Sequence, residues 1–165
     1  MSAGTGDNVA GDTYDEKQVT LAGNDYLCTD RDHATWINYI PSTLDTFIPR
    51  NRKWAKMTVN PEITSTLNSF QYHLRTNLDY GYGAVVLMIP GELHYYNGED
   101  TGHYLSCSGI VYTTMSENDY DNITVRLDDP HYDDRYFGTH TLNMVKVAEC
   151  MYKYSETRGP ANFVF

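Results

Sequence analysis

The chain has few cysteines and no long apolar stretch, and each shortage excludes a class of protein. Its three cysteines, Cys28, Cys107 and Cys150, form no Cys-x-x-Cys pair, which argues against a zinc knuckle or a dithiol redox motif. The odd number leaves at least one thiol outside any disulfide within the chain. Because no apolar stretch approaches the length of a membrane-spanning helix, we expect no membrane span. The first residues lack the charged-then-apolar pattern of a signal peptide.

Positive charge is also scarce. Lys and Arg number 12 against 22 Asp and Glu, for a formal net charge of −10 at pH 7. Because so acidic a chain repels a nucleic-acid backbone, we expect no nucleic-acid partner. Tyrosine is abundant instead, with 15 residues. Its apolar ring and polar tip suit either a groove for peptide or sugar, or a half-buried β-rich surface.

The pattern along the chain predicts a flexible leader at 1–16 and a single domain at 17–165. The clearest helix is predicted at 62–80, where apolar residues recur on one face at Ile63, Leu67, Phe70, Leu74 and Leu78. Apolar or alternating runs predict strands at 54–59, 84–89, 104–111, 123–127 and 144–152, with a last edge strand at 162–165. We therefore predict an α+β fold with N-terminal helices packed on a C-terminal antiparallel sheet.

Two residues at the ends of predicted strands carry the chemistry. His103 follows Gly102 at the start of one apolar run, and Asp129 ends the next run before Pro130. If these runs pair as neighbouring antiparallel strands, the start of the first lies beside the end of the second, and the two side chains meet. A carboxylate beside an imidazole fixes its tautomer and stabilises the imidazolium, as general-base catalysis requires. Asp128 and Asp129 are adjacent and project to opposite faces of an extended strand, so only one of them can face His103. We expect it to be Asp129, which precedes Pro130.

The acidic segment that follows offers a second chemistry, metal binding. Carboxylates suit calcium, and carboxylates with histidine suit a transition metal; the candidate ligands are Asp128, Asp129, His131, Asp133 and Asp134. Their spacing does not match an EF-hand, which needs a glycine at its sixth position and a glutamate at its twelfth. A solvated acidic loop explains the same residues, and we predict neither a metal site nor a cofactor.

The segment Gly102-His103-Tyr104-Leu105, taken with Asp129-Pro130, resembles the papain-like cysteine peptidases of the C-thirty-nine-like group. These are relatives of the double-glycine leader peptidases of bacteriocin exporters. With the region 18–47 and the long helix, the resemblance spans roughly residues 17–152. It implies a papain-like fold and a Cys-His-Asp hydrolase acting on a peptide or protein substrate, with His103 as base and Asp129 as the residue that orients it. It also implies a bacterial protein that is secreted or held at the cell surface.

The nucleophile is where the chain departs from this family. The family uses a glutamine and a Cys-Gly-Pro-Ala motif to supply the oxyanion donor and the nucleophile, and no Cys-Gly-Pro-Ala is present here. Three hypotheses follow. The chain is the C-terminal part of a longer peptidase, or a degenerate relative that binds peptide or cell-wall material without catalysis, or Cys28 is the nucleophile. Cys107 and Cys150 lie inside apolar runs and are predicted to be buried structural thiols.

Overall fold

The computed structural model describes residues 37–47, 53–96, 98, 101–113, 119–130 and 135–165. They belong to two compact units, divided between Ala55 and Lys56. None of the helices in these ranges is long and apolar enough to cross a membrane. Cys28 and the segment 131–134 lie outside the described residues.

In the first unit, one turn of 3-10 helix, Ile37–Tyr39, leads into helix α1, Ile40–Phe47. Pro41 is the second residue of α1, where a missing backbone N–H costs no helical hydrogen bond. The Asp45 carboxylate accepts a hydrogen bond of 2.9 Å from the backbone N–H of Trp54. This bond ties the segment before the second unit to the helix within the first.

The second unit contains a six-stranded sheet and two longer helices among the described residues. In chain order the elements are β1 Lys56–Met57, α2 Thr64–Asp79, β2 Ala84–Met88, β3 His103–Tyr112, β4 Ile123–Asp129, β5 Gly138–Asn143, α3 Met144–Thr157 and β6 Phe163–Val164. The strands lie in the order β1-β6-β2-β3-β4-β5, and each neighbouring pair is antiparallel. Helices on an antiparallel sheet confirm the predicted α+β class.

The hydrophobic core joins α2 and α3 to the sheet. Leu67, Phe70 and Leu74 of α2 are buried, as their spacing predicts. The Phe70 ring meets Phe163 of β6 edge-on, with 4.8 Å between ring centroids. Burying one such aromatic side chain contributes roughly 1.5–3 kcal/mol, so this pair helps to hold the helix against β6.

Helix α2 is two residues shorter at its start than predicted. Ile63, predicted to begin the apolar face, is the N-cap residue and is 48% exposed. The chain turns there, because the Thr66 backbone N–H donates to the Ile63 carbonyl at 2.9 Å. At the other end Gly81 takes φ 81°, a left-handed conformation that favours glycine and stops the helix.

The strand predicted at 144–152 is wrong, because these residues belong to helix α3. Their buried side chains recur at helical spacing, at Met144, Val147, Ala148, Cys150 and Met151. Asn143 caps the helix, since its side-chain oxygen accepts a 3.0 Å bond from the Lys146 backbone N–H. A strand lies just before the helix as β5, where Leu142 is the one aliphatic residue, so the segment carries little apolar signal.

The strand predicted at the C-terminus exists, but it is not an edge strand. Strand β6 lies between β1 and β2, where Phe163 and Val164 are fully buried. Val164 is paired with both Lys56 of β1 and Val85 of β2. The strand is too short for a sequence pattern to show that both its sides are covered.

Candidate active site

Two neighbouring strands, β3 and β4, place His103 and Asp129 at the same end of the sheet. His103 begins β3 opposite Met88 of β2, and Asp129 ends β4 opposite Gly138 of β5. Strands β3 and β4 are antiparallel, so the start of one lies beside the end of the other. The predicted contact is confirmed, with 2.7 Å between His103 Nε2 and Asp129 Oδ1.

The Asp129 carboxylate is hydrogen-bonded through both oxygens. Oδ1 meets His103, and Oδ2 accepts a 3.0 Å hydrogen bond from the Tyr96 hydroxyl. The Asp129 side chain has no exposed surface, whereas the His103 side chain is 20% exposed. A buried carboxylate is costly unless its oxygens are bonded, so these two contacts define its orientation.

The carboxylate also selects the tautomer of the imidazole. An ionised carboxylate only accepts hydrogen bonds, so the His103 nitrogen that faces it, Nε2, carries the hydrogen. In the neutral ring the lone pair then lies on Nδ1. We therefore assign His103 as a ring able to take a proton at Nδ1, with Asp129 placed to stabilise the resulting imidazolium.

Asp128 points the other way, as predicted for adjacent residues of a strand. Its Oδ1 accepts a 2.6 Å hydrogen bond from the Thr139 hydroxyl and lies 3.6 Å from Arg126 Nε. Its side chain is 38% exposed. Because Asp128 and Asp129 diverge, they do not share a metal ion, and the described residues contain no group of three or more His, Cys, Asp or Glu suited to one. The other candidate ligands, His131, Asp133 and Asp134, fall in the segment 131–134.

The two described cysteines are buried thiols, as predicted. Cys107 lies in β3, and burial raises the pKa of its thiol to about 12. Cys150 lies in α3, and burial raises the pKa of its thiol to about 11. The thiolate is the nucleophilic form, so both residues are poor candidates for catalysis. The third candidate, Cys28, is not among the residues that the structure describes.

Four aromatic residues that the sequence analysis did not single out surround the pair. We call Tyr95, Tyr96, Tyr136 and His140 the aromatic cluster. Tyr96 stacks on Tyr136 at 4.3 Å between centroids, and Tyr95 stacks on His140 at 3.7 Å. His140 Nε2 lies 2.8 Å from the Tyr136 carbonyl oxygen, which links the two stacks. Tyr96 and Tyr136 are 6% and 2% exposed, so these two rings are part of the buried packing beneath the site.

Gly102 has a packing role beside the imidazole. A Cβ at this position would lie 2.7 Å from Cε2 of the Tyr154 ring, closer than side chains approach. Gly102 is not among the glycines with positive φ, so it is the Tyr154 ring, and not an unusual backbone conformation, that requires glycine here. The backbone just before β3 therefore passes close to the Tyr154 ring of α3.

In comparisons with protein-family models, with curated proteins and with solved structures, nothing matches this chain. Its function is therefore inferred from the site and from the residue patterns of its sequence. The site offers a histidine with one nitrogen on a buried carboxylate and its ring partly exposed, which is the arrangement of a general base with its orienting acid.

Proposed function

We propose that this chain carries the base and the orienting acid of a cysteine-peptidase-like hydrolase that cleaves peptide bonds. The supporting observation is the 2.7 Å contact between the partly exposed imidazole of His103 and the fully buried carboxylate of Asp129. The resemblance of the surrounding segments to papain-like peptidases supports the same reaction.

In this proposal the reaction follows acyl transfer. His103 Nδ1 takes the proton from a cysteine thiol, and the thiolate attacks the carbonyl carbon of the scissile peptide bond. The imidazolium, stabilised by Asp129, returns a proton to the departing amine as the acyl-enzyme forms. Water, deprotonated by His103, then hydrolyses the thioester and frees the thiol. The protein neither gains nor loses atoms over the cycle.

Cys28 is the nucleophile that we propose within this chain. Cys107 and Cys150 are buried with raised pKa values, which leaves Cys28 among the three cysteines. If the nucleophile instead comes from a Cys-Gly-Pro-Ala segment of a longer chain, Cys28 has no special reactivity. The two possibilities give opposite results with a thiol-directed probe.

Alkylation with iodoacetamide at neutral pH separates them. If Cys28 is paired with His103, we expect its alkylation to be about tenfold or more faster than that of free cysteine, because a base nearby increases the thiolate fraction. His103→Ala should abolish the excess rate, and peptide mapping should place the adduct on Cys28. Cys107→Ala and Cys150→Ala are the controls that should leave the rate unchanged. A Cys28 no more reactive than free cysteine would rule out a self-contained Cys28 enzyme.

A non-catalytic module that binds peptide or cell-wall material is the second candidate. It is favoured by the missing Cys-Gly-Pro-Ala motif and by Phe137, a large exposed residue next to Gly138, which pairs with Asp129. In that case His103→Ala should leave the affinity for a peptide or peptidoglycan fragment unchanged in calorimetric titration, whereas Phe137→Ala should weaken it. Turnover that His103→Ala abolishes would exclude this function.

A further inference from the structure

We infer that Tyr96 is a positioning residue for the His103–Asp129 pair: its hydroxyl holds the Asp129 carboxylate so that Oδ1 faces His103 Nε2. The hydroxyl is 3.0 Å from Oδ2, and the imidazole is 2.7 Å from Oδ1. The catalytic meaning of this role depends on the function proposed above. Its effect on the imidazole does not, and is measurable without a substrate.

The contact is significant because the carboxylate is fully buried. A hydrogen bond to an ionised group is stronger than one between neutral groups. Without the tyrosine hydroxyl, Oδ2 of this buried carboxylate loses the hydrogen bond from Tyr96. The carboxylate then gains by rotating toward another donor, and the single geometry at His103 is lost.

Tyr96 is itself held rigidly, as a positioning residue must be. Its ring stacks nearly parallel on Tyr136, with 8° between the ring planes. The Tyr95 ring is tilted relative to it, with 5.1 Å between the two ring centroids. The Tyr96 ring is also 5.9 Å from the His103 imidazole. Because Tyr96 follows β2 and Tyr136 precedes β5, the carboxylate is fixed by segments from both sides of the β3–β4 pair.

Tyr95 provides an internal comparison one residue away. Its hydroxyl is also buried, but it has no hydrogen-bond partner. Burial, and to a lesser degree the charge of Asp129, raise the pKa of Tyr95, so this hydroxyl stays protonated near the same carboxylate. Adjacent tyrosines therefore differ in the one feature that matters: the Tyr96 hydroxyl bonds Asp129 and the Tyr95 hydroxyl does not.

The test is the tautomer of His103, read from its imidazole ¹⁵N chemical shifts in the full chain. We expect the wild-type ring to carry its hydrogen on Nε2. Tyr96→Phe should give a mixture of the two tautomers, and Tyr95→Phe should keep the wild-type state. An unchanged tautomer in Tyr96→Phe, or the same change in both variants, would overturn the inference. A second measurement avoids any folding defect: in the wild-type protein the Tyr96 hydroxyl hydrogen should exchange slowly with water, and fast exchange would contradict the bond.

Turnover separates this inference from the proposed function. If both hold, Tyr96→Phe should lower kcat about 10- to 100-fold with little change in KM, and Tyr95→Phe should not. A tautomer change in a protein that hydrolyses no peptide would support the positioning role and refute the hydrolase. If the protein hydrolyses peptides but Tyr96→Phe changes neither the His103 tautomer nor kcat, the positioning role alone is refuted.

Discussion

Asp129→Asn is expected to lower kcat about 10⁴-fold while the protein stays folded. Asparagine has the same shape, but its amide nitrogen can turn toward His103 Nε2 and donate to it. The ring must then carry its hydrogen on Nδ1, which is the nitrogen that accepts the thiol proton in the proposed reaction. The substitution also removes the negative charge that stabilises the imidazolium. Hydrolysis of a fluorogenic peptide library, followed over time, measures the loss.

Asp128→Asn is the matched control, since it makes the same chemical change one residue earlier. Asp128 lies on the opposite face of β4, partly exposed, with Thr139 and Arg126 as partners. Surface substitutions of this kind usually change the free energy of unfolding by less than about 0.5 kcal/mol, so the variant should stay folded. Because Asp128 faces away from His103, kcat should stay within about twofold of wild type. An equal loss of kcat in both variants would mean that the negative charge of this strand end, and not the contact with His103, governs the rate. Full activity in Asp129→Asn would refute the proposed role of the pair.

The contact between His103 and Asp129 could be predicted because it depends on local pattern. The two residues are 26 positions apart, and only one strand pairing separates them. Each strand has enough apolar residues to be recognised, and antiparallel pairing then places the start of one beside the end of the other. Period-2 alternation showed that only one of Asp128 and Asp129 can face His103, and the position of Asp129 before Pro130 indicated which one. No contact with a segment remote in the sequence had to be known.

Two kinds of feature were not predicted: a helix whose apolar run also fits a strand, and aromatic residues brought together from distant segments. The apolar residues at 144–152 are dense enough to fit either a strand or one face of a helix, and the outcome is decided by the Asn143 cap and by packing against the sheet. Tyr96 and Tyr136 lie in irregular segments with no periodic signal, yet they stack beside the His103–Asp129 pair. Their role follows from the fold of the sheet, which the sequence pattern alone does not specify.

Asn162 is a second residue whose role no local pattern shows, although it connects three parts of the second unit. It is fully buried, and its side-chain oxygen accepts a 2.7 Å hydrogen bond from the backbone N–H of Val59, 103 residues earlier. Its side-chain nitrogen donates to the Val59 carbonyl at 3.0 Å and to the Ser155 hydroxyl at 2.9 Å. The asparagine thus pairs both backbone groups of a fully buried residue that has no strand partner.

Asn162→Ala is therefore expected to destabilise the fold by about 2–6 kcal/mol, because two buried backbone groups each lose a partner at about 1–3 kcal/mol. Urea unfolding followed by circular dichroism measures the change, and so large a loss is a major fraction of the stability of an ordinary domain. Asn122→Ala is the control: that side chain is exposed and donates to the Asp119 carboxylate, so its loss should cost less than about 1 kcal/mol. Similar unfolding midpoints for the two variants would show that water replaces Asn162, and that Val59 is not sealed from solvent as the structure places it.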